Sequence, residues 1–497
     1  MKKKVFSTIL SLVCALICAL ALAACGDGGG GAEDEKTYGT EGLAYEYHNG
    51  GYVCTGMGKA TDEDIVIPSE YKGEPVIEIG NRAFYGLTNI KSVVIPDTVG
   101  AIDDYAFANS AITSLSLTRQ CSIRLNAFLG CPVKTACVHA NVIEHLYKPS
   151  LEALTIANGV VERDTMTDCT SLASVTISDE VQSVDGRAFD DCPAVKRIEN
   201  GVAYVDKWAV GCDANATSVS LLSNTSGIAD YAFAGCASIT GMMIPDGVVI
   251  VGAHAFDGCA ALVQKDNGIL YVGNWAVGYE SEETSVIIRE NTKAICNGLF
   301  GEHKTIESLT IPSSVTSIGV NALTGCRTLE NVYYLGDVAE WCAMKGPGSI
   351  RSGTTLYING SKVEGELVIP DGVTNIFYRA FYGCREITSV SIPNSVTAID
   401  NGAFHDCKGL TSLTVPSSVT HIGHSAFRGC DSLETITINV GIKSIGNFVF
   451  ADCTALTSIT FNGTKAQWEA IEKGASWNMH TGDYTIHCTD GDIVDNQ

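Results

Sequence analysis

The chain has 497 residues, 45% of them hydrophobic, and a formal charge of −24. That balance argues against nucleic acid or an anionic lipid surface as the main partner, because a strongly acidic chain repels polyanions. Only one apolar run, at the N-terminus, approaches the length of a membrane span, which excludes a multi-span membrane protein.

Lys2, Lys3 and Lys4 precede an apolar run from Val5 that is too short and wrongly flanked for an ordinary span, so residues 1–24 read as an export signal that is removed. The run closes on Leu22-Ala23-Ala24-Cys25, which resembles a bacterial lipobox. The resemblance implies lipidation of the Cys25 thiol and cleavage just before it; the alternative is a plain secretory signal with a chance cysteine. Several acyl chains on one cysteine would hold the protein stably on a membrane. Residues 25–40 then form the lipidated cysteine and a glycine-rich tether without apolar periodicity. Loss of Lys2, Lys3 and Lys4 takes the formal charge from −24 to −27.

Residues 41–75 are less regular, with a strand at Ile65-Val66-Ile67 ended by Pro68, and are expected to cap the N-terminal side. From 76 to 460 the chain repeats. The clearest stretch places Phe381, Phe404, Phe427 and Phe450 23 residues apart, in step with Cys384, Cys407, Cys430 and Cys453. A period in the twenties means a stacked coil: one unit cannot bury its own apolar side and must share a core with its neighbours. In the unit from Leu410 to Cys430, Leu413 and Val415 alternate with Ser412 and Thr414, the pattern of a strand with one buried face. Pro416 ends that strand, Val419 and Ile422 return in a second extended segment, and Gly423 permits a sharp corner. The spacing of Ala426, Phe427 and Cys430 predicts one short helical turn that plugs the coil with an aromatic ring.

Ten cysteines (131, 169, 192, 236, 259, 326, 384, 407, 430 and 453) share the slot at the end of this phrase. Free cysteine behaves as a small buried hydrophobe, so a column of buried thiols is predicted. The alternative is occasional disulfides among Cys54, Cys121, Cys137, Cys212, Cys296, Cys342 and Cys488.

The phrase Ala-Phe-x-x-Cys returns at Ala188 to Cys192, Ala232 to Cys236, Ala255 to Cys259 and, with Leu323 for Phe, Ala322 to Cys326. This pattern resembles the BspA-like leucine-rich-repeat family of bacterial surface proteins, over nearly the whole mature chain. The resemblance implies a curved, strand-rich leucine-rich-repeat solenoid with short helical turns. It also implies exposure on the cell surface and adhesion or binding of host molecules. It transfers no binding residues, because the shared positions are core positions.

Two longer units interrupt the beat. Asn200 to Gly211 returns as Asn267 to Gly278, 67 residues on, which marks inserted hairpins at about 200–216 and 267–284. Trp208 and Trp275 occupy equivalent positions, which favours packing over binding. A segment at about 335–360 pairs Asp337 with Glu340, and residues 461–497, the C-terminal cap and tail, pair Thr464 with Gln467. Both spacings are capping boxes that start short helices, with Trp341 and Trp468 packing them down.

For binding, two kinds of position stand out. Ser389, Ser391, Ser412, Thr414, Thr435 and Thr437 should point outward from the main strand as an uncharged hydroxyl face that lacks aromatic anchors. The alternative is that these residues merely suit a soluble strand. Tyr204 and Tyr271, on the inserted hairpins, should be exposed where insertions carry selectivity. No catalytic pattern, cofactor motif or metal phrase is present: His421 and His424 lack a following glutamate, and His139 and His145 lack a carboxylate pattern beyond Glu144. The sequence therefore points to a non-enzymatic, lipid-anchored surface protein that binds an extracellular protein or glycan, with an envelope spacer as the alternative and a surface hydrolase third.

Overall fold

The computed structural model describes residues 39–494 apart from 49, 214–215, 302, 347–349 and 475. The signal segment, the lipidation candidate Cys25 and residues 25–38 of the tether lie outside that range. The chain forms two compact units, one running up to Asp213 with Asn224–Ala232 added, the other made of Ala214–Ser223 and everything from Phe233 onward.

In the first unit six strands stack in parallel, Asp64–Val66, Ser92–Val94, Ser114–Leu117, Thr135–Val138, Ala153–Ile156 and Ser174–Ile177. A second parallel ladder runs through Gly51–Gly56, Glu74–Ile79, Ala101–Ile102 and Ser122–Ile123, and Ala44–His48 closes its edge antiparallel. Tyr45 stacks on Tyr71 at 4.1 Å beside that closing strand. Phe84, Phe107 and Phe128 form a ring column with centroids 5.0 and 5.2 Å apart and nearly parallel planes.

The second unit is built the same way. One parallel ladder holds Ser285–Ile287, Ser308–Ile311, Asn331–Tyr334 and Thr355–Ile358. Another holds Gly365–Val368, Ile387–Ser391, Ser412–Val415, Thr435–Ile438, Ser458–Phe461 and Thr485–Cys488. The register is one repeat per rung: Leu413 pairs with Ile436 and Val415 with Ile438. Successive inward side chains thus fall over one another, and the alternation written in sequence becomes one buried column and one outward column. The predicted second extended segment is short, two residues per coil, as in His421–Ile422. The leucine-rich-repeat, strand-rich solenoid expected from the repeat is the architecture found.

The phrase around Phe is not a helical turn. Ala403, His405 and Cys407 donate their N–H groups back three residues, to Asp400, Gly402 and Phe404, while Gly402, Phe404 and Asp406 donate across to His424, Ala426 and Arg428 of the next coil. Gly402 and Asp406 have φ of 64° and 61°. A left-handed residue at every fourth position blocks helix propagation and supplies the third residue of type II turns. The alternate N–H groups are freed to stitch one coil to the next.

Gly423 is also needed for a different reason than sharp curvature. Its φ is not positive; instead a Cβ there would lie 2.5 Å from the Asn401 amide nitrogen of the preceding coil. The corner is where two backbones approach each other, and the left-handed residue is Ser425, φ 54°.

The buried cysteines do more than fill space. Cys407, Cys430 and Cys453 each donate Sγ–H to the carbonyl of the phenylalanine one coil earlier, Phe381, Phe404 and Phe427, at 3.2 to 3.3 Å. Cys131, Cys259 and Cys326 do the same to Phe107, Phe233 and Phe300. The Phe404 carbonyl already accepts from Cys407 N–H, so the thiol takes up its second lone pair, which alanine could not. One slot departs from the thiol column: Cys236 is disulfide-bonded, as is Cys212, so the expectation of a free thiol at 236 is corrected. The other described cysteines are free and, apart from half-buried Cys488, buried.

Both capping boxes are present. Helix α1 (Val338–Ala343) has the Asp337 side chain accepting from Glu340 N–H at 2.9 Å, and α2 (Lys465–Glu469) has Thr464 accepting from Gln467 N–H at 3.3 Å. Trp341 is fully buried and donates Nε1–H to the Ala380 carbonyl at 2.7 Å; Trp468 packs edge-on to Phe461 at 5.3 Å.

Candidate functional site

Strand alternation puts Ser412, Thr414, Thr435 and Thr437 on the outward side of the last ladder, while Leu413, Val415, Ile436 and Ile438 fill the core. Ser389 pairs with Ser412, Ser412 with Thr435, and Thr435 with Ser458, so the hydroxyls form a straight row; Thr414, Thr437 and Thr460 form a second. Ser391, Ser412, Thr414 and Thr435 are exposed, and Ser389 and Thr437 half-buried. None of these six hydroxyls has a protein hydrogen-bond partner among the described residues. Thr411 and Thr457, one step before the strands, behave differently: their hydroxyls donate to the Thr388 and Glu434 carbonyls at 3.2 Å and brace the coil. The outward rows are therefore open donors and acceptors, each with a full complement to offer a ligand.

The hairpin tyrosines are not exposed. Tyr204 and Tyr271 both have 0% relative exposure, which corrects the expectation that they sit at a recognition edge. Each points into its coil: Tyr204 shares a hydrogen bond with Thr225 Oγ1 at 3.3 Å, and Tyr271 OH accepts from Arg289 N–H at 3.1 Å. Trp208 and Trp275 are likewise buried. The hairpin Val202–Val205 with Trp208–Cys212 has one face on the core, and its large aromatic residues occupy that face.

Aromatic side chains do reach the outward side elsewhere. Thr310, Tyr333 and Tyr357 follow one another across the other ladder of the second unit, and the two tyrosine rings stack at 4.7 Å with a 26° tilt. Ile287, in register with Thr310, is 55% exposed. The expectation of a face without aromatic anchors holds for the hydroxyl ladder and fails here. The signal lay in the alternation, since Val332 and Leu356 point inward and so force Tyr333 and Tyr357 out.

The histidines are parts of the frame. His424 Nδ1 accepts from Asn447 N–H at 2.8 Å, and His421 Nδ1 lies 2.7 Å from Ser444 Oγ. His139 caps a short 3₁₀ turn through Asn141 N–H, and burial holds its pKa below the ordinary histidine value. Among the described residues no group of three or more His, Cys, Asp or Glu side chains is arranged to hold a metal ion. No helix among them is long and apolar enough to cross a membrane.

The model of the BspA-type leucine-rich repeat region matches residues 63–144, 144–263, 226–341 and 359–478, in six copies. The chain belongs to the BspA-type leucine-rich repeat family. Among solved structures it is similar to a leucine-rich repeat protein from Bacteroides ovatus, 20% identical over 90% of this chain and 99% of that one, with a TM-score of 0.24. It is also similar to a leucine-rich cell surface protein from Faecalibacterium prausnitzii, 19% identical over 90% and 98%, TM-score 0.20. A leucine-rich repeat protein of T. pallidum is 21% identical over 38% and 77%, TM-score 0.21. No curated protein matches the chain. In the BspA-type repeat the residues that define the family, Phe404, Cys407 and their equivalents, are buried.

Proposed function

We propose that this BspA-type protein is a surface lipoprotein, anchored through Cys25, that uses its repeat ladders for non-covalent binding of an extracellular protein or glycan. The observation that carries this reading is the pair of registered, unpartnered hydroxyl rows through Ser412, Thr414, Thr435 and Thr437. Equivalent groups one rung apart offer a repeating ligand many weak contacts whose effect multiplies. Tyr333 and Tyr357 add the aromatic area that usually concentrates binding energy. No step of covalent chemistry is part of the proposal, and nucleic acid is not a partner.

The test is capture of ligands from a protein and glycan array by the full chain, beside a variant carrying Ser412→Lys, Thr414→Lys and Thr435→Lys. These exposed sites accept lysine without disturbing the core, and a ligand seated on the rows should weaken at least tenfold, about 1.4 kcal/mol. A ligand that binds both forms equally, or no ligand at all, would refute the ladder as a binding face and favour a spacer. Cys25→Ser should release the chain from the membrane fraction into the medium; retention would disprove the lipid anchor.

A further inference from the structure

Arg82 and Arg379 open the same phrase, Arg-Ala-Phe-Tyr-Gly, in the two units. Both have left-handed backbone, φ 54° and 53°, and both donate N–H to the neighbouring coil, to Asp104 and Asn401. That conformation is costly for residues other than glycine and asparagine, and the same slot is left-handed in other coils, at Tyr105, Asn126 and Ser425. Arg82 lies over Tyr85 and Tyr105, 5.5 and 5.7 Å from their centroids; Arg379 lies over Tyr378 and Tyr382 at 5.3 and 4.8 Å. No other arginine among the described residues sits over two tyrosines.

Arg124, Arg187, Arg197 and Arg428 each hold a carboxylate. Arg82 and Arg379 are among the eight arginines that hold none among the described residues, although the chain carries 56 acidic residues against 32 basic ones, and of those eight only these two lie over two tyrosines. In the first cluster Asn109 and Asn126 donate their side-chain amides to the Tyr85 and Tyr105 hydroxyls, both at 3.2 Å. Each phenol oxygen is occupied as an acceptor, so its own proton is left to donate. In this cluster Arg82 and Tyr85 are exposed and Tyr105 is half-buried, so a guanidinium and phenol protons sit beside a flat, accessible ring; in the second cluster Tyr378 is exposed, with Arg379 and Tyr382 half-buried.

We propose that these two clusters are binding points for the carboxylate of a short acidic sugar, an oligouronate. The carboxylate matches the planar fork of arginine, and the C–H face of the same rigid ring covers the exposed tyrosine. An acidic peptide supplies the carboxylate on a flexible stem, and ordering that stem opposes binding. The net charge disfavours a long polyanion and leaves a short one admissible. The clusters lie in the turn segments and share no residue with the hydroxyl rows, so this inference stands or falls separately from the ladder.

The full chain is titrated calorimetrically with trigalacturonate at low salt, with neutral galactotriose and triglutamate as comparators. Saturable binding of trigalacturonate at about two sites is expected, one per cluster. Arg82→Asn and Arg379→Asn should each remove one site, because asparagine tolerates the left-handed backbone and carries no charge. Arg82→Lys and Arg379→Lys keep the charge, lose the fork and should weaken binding at least tenfold. Three results would overturn the assignment: no saturable binding, galactotriose or triglutamate binding as tightly, or a double asparagine variant that binds like the parent with its melting unchanged.

Discussion

At the scale of single residues the cysteine slot explains itself once its hydrogen bond is seen. Alanine would fill most of the volume, yet it lacks the donor that the thiol extends to the phenylalanine carbonyl one coil back. Burial raises the Cys384 and Cys453 thiols from 9.0 to about 12, and Cys407 and Cys430 well above 9.0. The sign of the linkage follows. Below pH 9 the thiols are protonated in both folded and unfolded chains and cost nothing; above it the unfolded chain ionises while the folded one does not. Stability should therefore fall as pH rises from about 9 towards 12, by about 1.4 kcal/mol per pH unit for each such thiol. A melting temperature that drops steeply across that window checks this. A flat profile would mean that the sulfurs are in contact with water.

At the scale of elements, the inserted hairpins and the two capped helices look alike in sequence, as aromatic-bearing interruptions of the beat, and both turn those rings inward. Trimming the hairpin at Val202–Cys212 would remove Tyr204 and Trp208 from the core, so loss of binding in such a variant would report unfolding. The helix α1 offers a cleaner probe. Asp337→Ala breaks the capping box and leaves the Glu340 N–H without its acceptor. A loss of about 1 kcal/mol is expected from denaturant unfolding, with no change in the hydroxyl ladder. Trp341, whose Nε1–H meets the Ala380 carbonyl, holds the same helix from its buried side.

At the scale of the whole molecule, stacked strands leave an unpaired edge at the end of each ladder, and such an edge recruits other chains unless it is covered. The last ladder ends in a reversal: Gly491–Val494 pairs antiparallel with Thr485–Cys488, which replaces a regular repeat strand at the edge by a four-residue strand carrying Asp492, a short charged edge that pairs poorly with other chains. Trp477, meeting Phe450 and Trp468 edge-on at 6.2 and 6.0 Å, finishes the ring column with a perpendicular aromatic that the next coil could not continue. Deleting residues 485–494 bares the Ser458–Phe461 strand. That truncated chain should self-associate in sedimentation experiments while the parent does not; a monomeric truncated chain would show that the edge is protected by something else.

The repeat by itself determined the parallel solenoid, its buried Phe and Cys columns and the inward and outward sides of each strand, and local i, i+3 spacing set both capping boxes. A fixed period forces equivalent residues into register, and an alternating strand has only one side that can be buried. Tertiary structure alone decided the rest. The turn around Phe404 is not helical because left-handed residues send alternate N–H groups to the next coil. Gly423 is required by the approach of the Asn401 backbone, 22 residues away in sequence. Tyr204 and Tyr271 are buried because a hairpin's exposure depends on what lies beneath it. Local pattern fixes which side of the chain is apolar, and the period fixes which residues of successive coils are neighbours; how closely their backbones approach and which N–H groups cross between coils is decided only by the packed structure.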